Sequence, residues 1–301
     1  MNDIVLFGDV FWNNIIKYLS PTDLHNLVQT CKFYEQNINM KHVKNNTIIQ
    51  LNKKLFNVFG DKLSEFKTIL QNLKGIISGS CVLQSILGEN WKESDIDIFI
   101  PVIGNNITKT SCNNEKSEMD DFMFANGKMV KYEAANVYYS NICGRIIVFC
   151  RTFQINNHFV QTILVNVNNN INKMCNFILD NFDFDICKNV YWYNNNDNIM
   201  IHKFKDILTK QTTFKIGSRF GSSIFRCEKY RKRGFTFKNP DNLQILSKHD
   251  PIIITYISPC WRETNNIFEM CNKSKTLKGY ITKEELKKLQ KNQTLIKILS
   301  V

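Results

Sequence analysis

The chain has 301 residues, of which 43% are hydrophobic and 12% aromatic, enough apolar material to bury a sizeable core, and this excludes wholesale disorder. Its 12 glycines and 5 prolines exclude collagen-like and linker-dominated chains. A net charge of +12 favours a polyanionic partner, whether nucleic acid, nucleotide phosphate or an acidic protein face. The length suggests about two domains. No apolar run reaches about 18 residues, so no transmembrane helix and no membrane partner are expected. The start, MNDIVLFGDVFW, lacks the basic region of a signal peptide. The 10 cysteines then read as reduced thiols in a cytoplasmic protein. They form no CxxC pair, and Cys260 with Cys271 is the nearest approach to a metal pair. Asparagine is roughly one residue in eight, which with abundant Lys and Ile points to an AT-rich genome.

Residues 4–40 read as a first helical unit. Phe7, Val10, Phe11, Ile15, Ile16 and Leu19 recur at helical spacing. Ser20 is placed as an N-cap, with Pro21 at the first helical position and Asp23 in the first turn, where it suits the helix dipole. Leu24, Leu27, Val28 and Cys31 give the next helix its apolar face, continued by Phe33 and Tyr34. The run Tyr18-Leu19-Ser20-Pro21, then Asp23-Leu24, Leu27, Thr30-Cys31 and Phe33-Tyr34, resembles an F-box. Leu6-Phe7 stands where the family has Leu-Pro, a departure in the first turn. The resemblance implies binding to the Skp adaptor of a cullin-RING ubiquitin ligase, with Leu19, Pro21, Leu24 and Leu27 partly exposed for it. The alternative is an ordinary helical cap packed on its own domain.

Residues 45–73 continue the helical pattern through Leu51, Leu55, Val58, Phe59, Leu63, Phe66, Ile69, Leu70 and Leu73, interrupted at Gly60-Asp61. Gly75 is expected as the residue closing the helix, before a strand at Ile76-Ile77. Ile76-Ile77-Ser78-Gly79-Ser80-Cys81-Val82-Leu83 reads as strand, tight turn and helix. Gly79 permits an unusual backbone angle and close approach of a ligand. Ser80 is expected to cap the helix, whose free N–H groups favour a phosphate. In Ser94-Asp95-Ile96-Asp97-Ile98-Phe99-Ile100, period-two alternation sets Asp95 and Asp97 on one strand face. Crowded carboxylates repel unless a cation sits between them, and Mg²⁺ is the natural hard ion, with Mn²⁺ as a substitute.

Gly79-Ser80, a spacer helix and Asp95-x-Asp97 resemble the signature of the nucleotidyltransferase superfamily related to DNA polymerase beta. The spacer, residues 81 to 94, is slightly longer than usual for that family. The resemblance implies that Asp95 and Asp97 hold the metal and an NTP serves as substrate. A hydroxyl of RNA or protein would attack its α-phosphate. A solvent-facing acidic strand is the alternative. Many members add a third carboxylate on a later strand. Here residues 146–154 and 158–165 read as a hairpin around Asn156-Asn157, and the inward polar candidate is Gln161. The segment Asn181-Phe182-Asp183-Phe184-Asp185-Ile186-Cys187 loosely resembles one in CCA-adding enzymes and bacterial poly(A) polymerases, which makes Asp183, or Asp185, the candidate third acid. Either acid could equally lie on the surface of an alternating strand.

Residues 104–121 read as a flexible polar insertion. Asn194 to Asp197 reads as a turn into a strand over 199–202, followed by a helix from Phe204 to about Lys210. Arg226, Tyr230 and Arg233 share a helical face in the most basic stretch, which ends at Gly234. This stretch resembles the Arg-rich helix that touches the nucleotide in CCA-adding enzymes. That implies Arg forks on phosphate and Tyr230 stacked on a base. A solvated basic helix is the alternative. Thr282-Lys283-Glu284-Glu285 reads as the capping box of a short helix.

The fold class expected is α+β: a nucleotidyltransferase-like mixed sheet flanked by helices (residues 45–215), preceded by an F-box-like helical unit (1–44) and followed by a basic helical region (216–301). F-box-like and nucleotidyltransferase-like parts in one AT-biased chain resemble proteins of large DNA viruses, which implies the host-cell cytoplasm. Two functions stand side by side, an Mg²⁺-dependent nucleotidyltransferase and a catalytically degenerate ubiquitin-ligase adaptor.

Overall fold

The computed structural model describes residues 10–92, 94–102, 118–134, 147–167, 170–214, 226–227, 229–238, 251–264, 267–280 and 296–300. The chain divides into two compact units, Met1–Gln211 and Thr212–Val301. Ile4, Leu6 and Phe7, most of the polar insertion and the capping box at Thr282 lie outside the described residues.

The first unit opens with a π-helical turn, Phe11–Ile15, and a 3-10 turn, Ile16–Tyr18. Helices α1 (Pro21–Val28) and α2 (Lys32–Asn37) follow. The expected cap is present. Asp23 N–H donates to Ser20 Oγ at 3.1 Å and Ser20 N–H to Asp23 Oδ2 at 2.8 Å. Phe11, Ile16, Leu24 and Ile38 form a small core, flanked by Leu19, Leu27 and Tyr34. The partial exposure expected of an F-box is therefore corrected at Pro21 and Leu24 and found at Leu19 and Leu27. Pro21 and Leu24 are buried, Leu24 completely, because the short helices fold over their own apolar stripe; Leu19 and Leu27 are half-buried.

Helix α3 (Met40–Phe59) runs unbroken across residue 45. Its buried Asn46 donates to the carbonyls of Ile16 and Leu19 at 2.6 and 2.8 Å, closing the end of the first unit's opening turns. A 3-10 turn at Gly60–Lys62 leads into α4 (Leu63–Asn72). The close of α4 differs from expectation. Lys74 (φ 53°) takes the left-handed position, while Gly75 N–H reaches back to Leu70 O at 2.8 Å and Lys74 N–H to Gln71 O at 3.0 Å.

Next come β1 (Ile76–Ser78), α5 (Ser80–Leu87), β2 (Ile96–Pro101), α6 (Glu118–Asn126), β3 (Lys128–Ala134), β4 (Ile147–Ile155) and β5 (His158–Val165). Then α7 (Ile171–Asn181), β6 (Val190–Asn194), β7 (Asn196–Met200) and α8 (Phe204–Leu208) complete the unit. The seven strands form one mixed sheet in the order β3-β4-β5-β2-β1-β6-β7. Only the β2–β5 pair among these is parallel. Asn156 and Asn157 both have positive φ, 45° and 65°, the hairpin turn that asparagine favours.

Helix α7 packs Met174, Cys175, Phe177 and Ile178 on one sheet face, against Ile76, Phe99, Ile163 and Val190. The aromatic cluster of Phe59, Phe66 and Phe122 joins α3, α4 and α6, with Phe59 and Phe66 stacked at 4.2 Å. Helix α5 is buried at all eight positions. At its end Gly88 (φ +69°) lies so close to the N-terminal helices that an added Cβ would meet Ser20 Cβ at 2.7 Å.

Strand β7 begins three residues earlier than expected because Asp197 is drawn into it. Its carboxylate accepts from Lys67 Nζ at 2.7 Å, Tyr191 OH at 2.6 Å and Asn52 Nδ2 at 2.8 Å. Burial alone would raise the Asp197 carboxyl, but these three donors outweigh it and hold it below its ordinary 3.8. The depressed folded-state value means the group's contribution is present above the unfolded value and is lost as pH falls through the folded one. Asp197→Asn is expected to cost about 2 kcal/mol at neutral pH, since it removes hydrogen bonds to a charge. The gap between wild type and variant, followed by urea unfolding, should shrink as pH drops below about 4. A gap independent of pH would contradict the assignment.

The second unit contains helical residues at 226–227 and 229–232 and a strand β8 (Thr236–Phe237), with Lys238 N–H donating to Thr212 O at 2.9 Å. Strands β9 (Pro251–Thr264), β10 (Ile267–Tyr280) and β11 (Ile296–Ser300) form an antiparallel sheet with β9 central. The later part of the basic helical and C-terminal region is thus strand, consistent with the Ile and Thr run at 252–255.

Candidate active site at the Gly79 turn

The site lies on the sheet face that α7 covers, where β1 ends and β2 begins. Register pairs Ser78 with Asp97 on one side and Asp97 with Gln161 on the other. Gly79 is the N-cap of α5, at φ 81° and ψ −143°, a region open essentially to glycine. A Cβ there would stand 2.9 Å from Asp97 Oδ2 and 3.9 Å from the Phe182 ring. The carboxylate thus rests directly against the backbone of the turn, beside the free N–H groups that begin α5.

Ser80 is the first helical residue, not the cap, because Gly79 already takes the cap position. Ser80 Oγ lies 2.9 Å from Ser94 Oγ, which also accepts from Gln84 Nε2 at 2.6 Å. Gln84 in turn accepts from Trp91 N–H at 2.7 Å, so α5 and the approach to β2 are tied together. Asp95 is fixed from β5, where Gln161 Nε2 donates to Asp95 Oδ2 at 2.8 Å. Burial pushes the neighbouring Cys81 thiol up to about 12, with Lys54 opposing and the charges of Asp97 and Asp95 adding. Cys81 is therefore a buried neutral group, not a nucleophile.

Gly79 thus meets Asp97, Ser80 follows it in the turn and meets Ser94, and Asp95 meets Gln161, which pairs with Asp97 in register. Asp183 does not complete the pair. Among the described residues, no three His, Cys, Asp or Glu side chains gather where they could hold a metal ion. The segment at 181–187 is a bridge and a 3-10 turn (Asp185–Cys187), not an alternating strand, and Asp185 is committed to Lys188 at 2.9 Å and to Lys203. Tyr230 is not an open stacking platform. It is 3% exposed, packed edge-on to Phe235 with Arg233 over its ring. Arg226, Tyr230 and Arg233 all belong to the second unit. Ser94 and Gln84 were not anticipated, and their order Gln-x₉-Ser carries no recognisable signal. A cleft of about 420 Å³ lies elsewhere, between α7 and the β6–β7 hairpin at Cys175, Trp192 and Met200, and contains none of the site residues.

The donor set fits a hard divalent ion. Asp95 and Asp97 offer oxygen only, and Mg²⁺ is commonly held by one or two carboxylates plus substrate phosphates. Gln161 stands where a further acid would add charge, and it contributes a neutral amide instead. Gly79→Ala is expected to displace the Asp97 carboxylate and to cost about 1–3 kcal/mol of stability from the forbidden backbone angle. Urea unfolding and Mg²⁺–nucleotide titration check both halves. A variant with wild-type affinity would contradict the close fit.

The architecture and site define an α+β domain built around a glycine turn and a two-carboxylate strand. A family model described as Gabija anti-defense 2 family protein matches residues 50–215, more than half of the chain. The chain belongs to the Gabija anti-defense 2 family. No curated protein matches the sequence. Among solved structures, the chain is similar to the apo form I of a CCA-adding enzyme at a TM-score of 0.40 and 14% identity, over 65% of this chain and 47% of that one. It is also similar to a CCA-adding enzyme complex with CTP at a TM-score of 0.37 and 13% identity, over 66% and 46%. The complex with ATP gives 0.34 and 16%, over 53% and 35%. The chain thus spans about half the length, or less, of these enzymes.

Proposed function

We propose that the chain binds a nucleoside triphosphate at the Gly79 turn with Mg²⁺, Mn²⁺ substituting, and transfers its nucleotidyl group to a hydroxyl of RNA or protein. The observation that carries this reading is the Asp97 carboxylate resting on Gly79 at the head of α5, with Asp95 held by Gln161, the residue that pairs with Asp97 in register. The N–H groups of α5 would bind phosphate oxygens. Asp95, held by Gln161, and Asp97 would hold the ion, which supplies neutralisation of the triphosphate when bound. Ser80, tied to Ser94, would fix the turn against the α5 terminus. In the transfer, the acceptor oxygen bonds to the α-phosphorus, the bond to pyrophosphate breaks, and the hydroxyl proton passes to water. Neutral Gln161 leaves the site with less charge than three carboxylates would give, which favours nucleotide binding over fast turnover. A family named for countering a defence system supports the viral setting expected from the sequence.

The test is incubation of the full chain with α-labelled triphosphates, Mg²⁺ or Mn²⁺, and mixed RNA and protein acceptors. Label on an acceptor, absent with Asp97→Asn, is the expected result. No transfer together with no nucleotide binding would contradict the reading.

A further inference from the structure

The sheet face that carries Asp97 runs on past the carboxylates. Residues paired across neighbouring strands share a face. Register sets Asp97 beside Gln161, Gln161 beside Thr152, and Thr152 beside Lys131 on the edge strand β3. The next row outward, on the side of Asp95, holds Phe159, Gln154 and Lys128. The irregularity between Met129 and Lys131 is what gives both lysines the same face, since three residues of regular strand would point them apart. Gln154, Lys128 and Lys131 are exposed, and the Phe159 ring is 46% exposed. One exposed phenyl is ordinary. This one lies between the carboxylate pair and two lysines, on a strip three strand spacings wide, about 14 Å.

We propose, resting on the nucleotidyl-transfer reading of Asp95 and Asp97, that this strip is the acceptor track and that the acceptor is a single-stranded nucleic acid. Phe159 gives a face on which any base can stack. Lys128 and Lys131 meet the phosphates, and Gln154 offers both a donor and an acceptor to a base or sugar edge. A polyanionic strand matches the lysines and the net charge of +12, whereas a protein acceptor presents no such regular charge. The strip leads to the carboxylates, so the strand's terminal hydroxyl arrives where the α-phosphate is held.

The experiment is fluorescence anisotropy of labelled single-stranded RNA and DNA oligonucleotides, with a duplex control, on the full chain. Phe159→Ala should weaken single-strand binding about tenfold or more, the usual effect of removing a stacking ring. Lys128→Ala with Lys131→Ala should lower the slope of log affinity against log salt by about 1.4, two phosphate contacts' worth. Thermal melting should be unchanged in the lysine variant, whose side chains are exposed, and only slightly lowered in Phe159→Ala, whose ring is about half exposed. Affinity for a fluorescent triphosphate analogue with Mg²⁺, measured in parallel, separates the two levels. Loss of that binding in the wild-type chain would sink the nucleotidyl-transfer reading itself. Triphosphate binding with oligonucleotides that fail to bind, prefer the duplex, or bind the variants equally would overturn the acceptor track alone. So would label transferred to protein and indifferent to Phe159→Ala.

Discussion

Asp97→Asn is expected to lower the affinity for Mg²⁺–triphosphate by roughly a hundredfold or more. Even loss of a partner behind a metal ligand costs 10–100-fold, and Asp97 is proposed as a ligand itself. The change is nearly isosteric, so the contact with Gly79 survives while half of the local carboxylate charge is removed. Nothing in the turn needs to move for the effect to appear. Stability should hold or rise, because relief of repulsion between Asp95 and Asp97 outweighs the loss of one ionised group in a site built for a cation. Calorimetric titration with a triphosphate and a thermal melt of the same sample read both. A variant that binds as tightly as wild type, or that simply unfolds, would contradict the role given to Asp97.

Asp120→Ala should destabilise the first unit by about 3–5 kcal/mol, the usual cost of breaking a buried ion pair from one side. Asp120 is completely buried on α6 and pairs with Arg151 of β4, itself 7% exposed, while Thr162 Oγ1 of β5 donates to its other oxygen at 3.3 Å. Removal leaves a guanidinium charge in the sheet with its principal counter-charge gone. Asp120→Leu combined with Arg151→Met should recover much of the loss, because a buried pair is about as stable as the apolar groups that replace it. Urea unfolding of the wild type and both variants measures this. A single variant losing less than about 1 kcal/mol would mean the pair is solvated, contrary to its burial. Arg151 and Thr162 adjoin Thr152 and Gln161 in sequence but face the opposite side of the sheet, so this pair also braces the strands beneath the site.

The site was legible because its geometry is local. Period-two alternation placed Asp95 and Asp97 on one face, and a glycine between a strand and a helix placed the turn. Gln161 was legible for the same reason, once the Asn-Asn hairpin fixed the parity of β5. The Ser20 cap and the break at Gly60 followed from equally short-range signals. Helix α6 starts inside the polar insertion expected over 104–121, because that polar stretch masks the Met119, Phe122, Met123 spacing and takes in Asp120. Only β4 and β5, distant in sequence, supply Arg151 and Thr162 to bury it. Asp197 was read as a turn residue for the same reason, since its three donors come from α3, α4 and β6. The exposure of Pro21 and Leu24 was misjudged because an apolar stripe does not say whether it meets a partner or its own neighbours. Tyr230 likewise stacks within its own unit.

Two carboxylates at a glycine turn are proposed to hold a triphosphate through a hard divalent ion. Titrating a fluorescent triphosphate analogue into the full chain, first with Mg²⁺ and then with excess EDTA, tests it most directly. Saturable binding is expected with the ion and loss of binding without it, because the two carboxylates then repel the phosphates. Equal affinity in both conditions, or no binding in either, would contradict it.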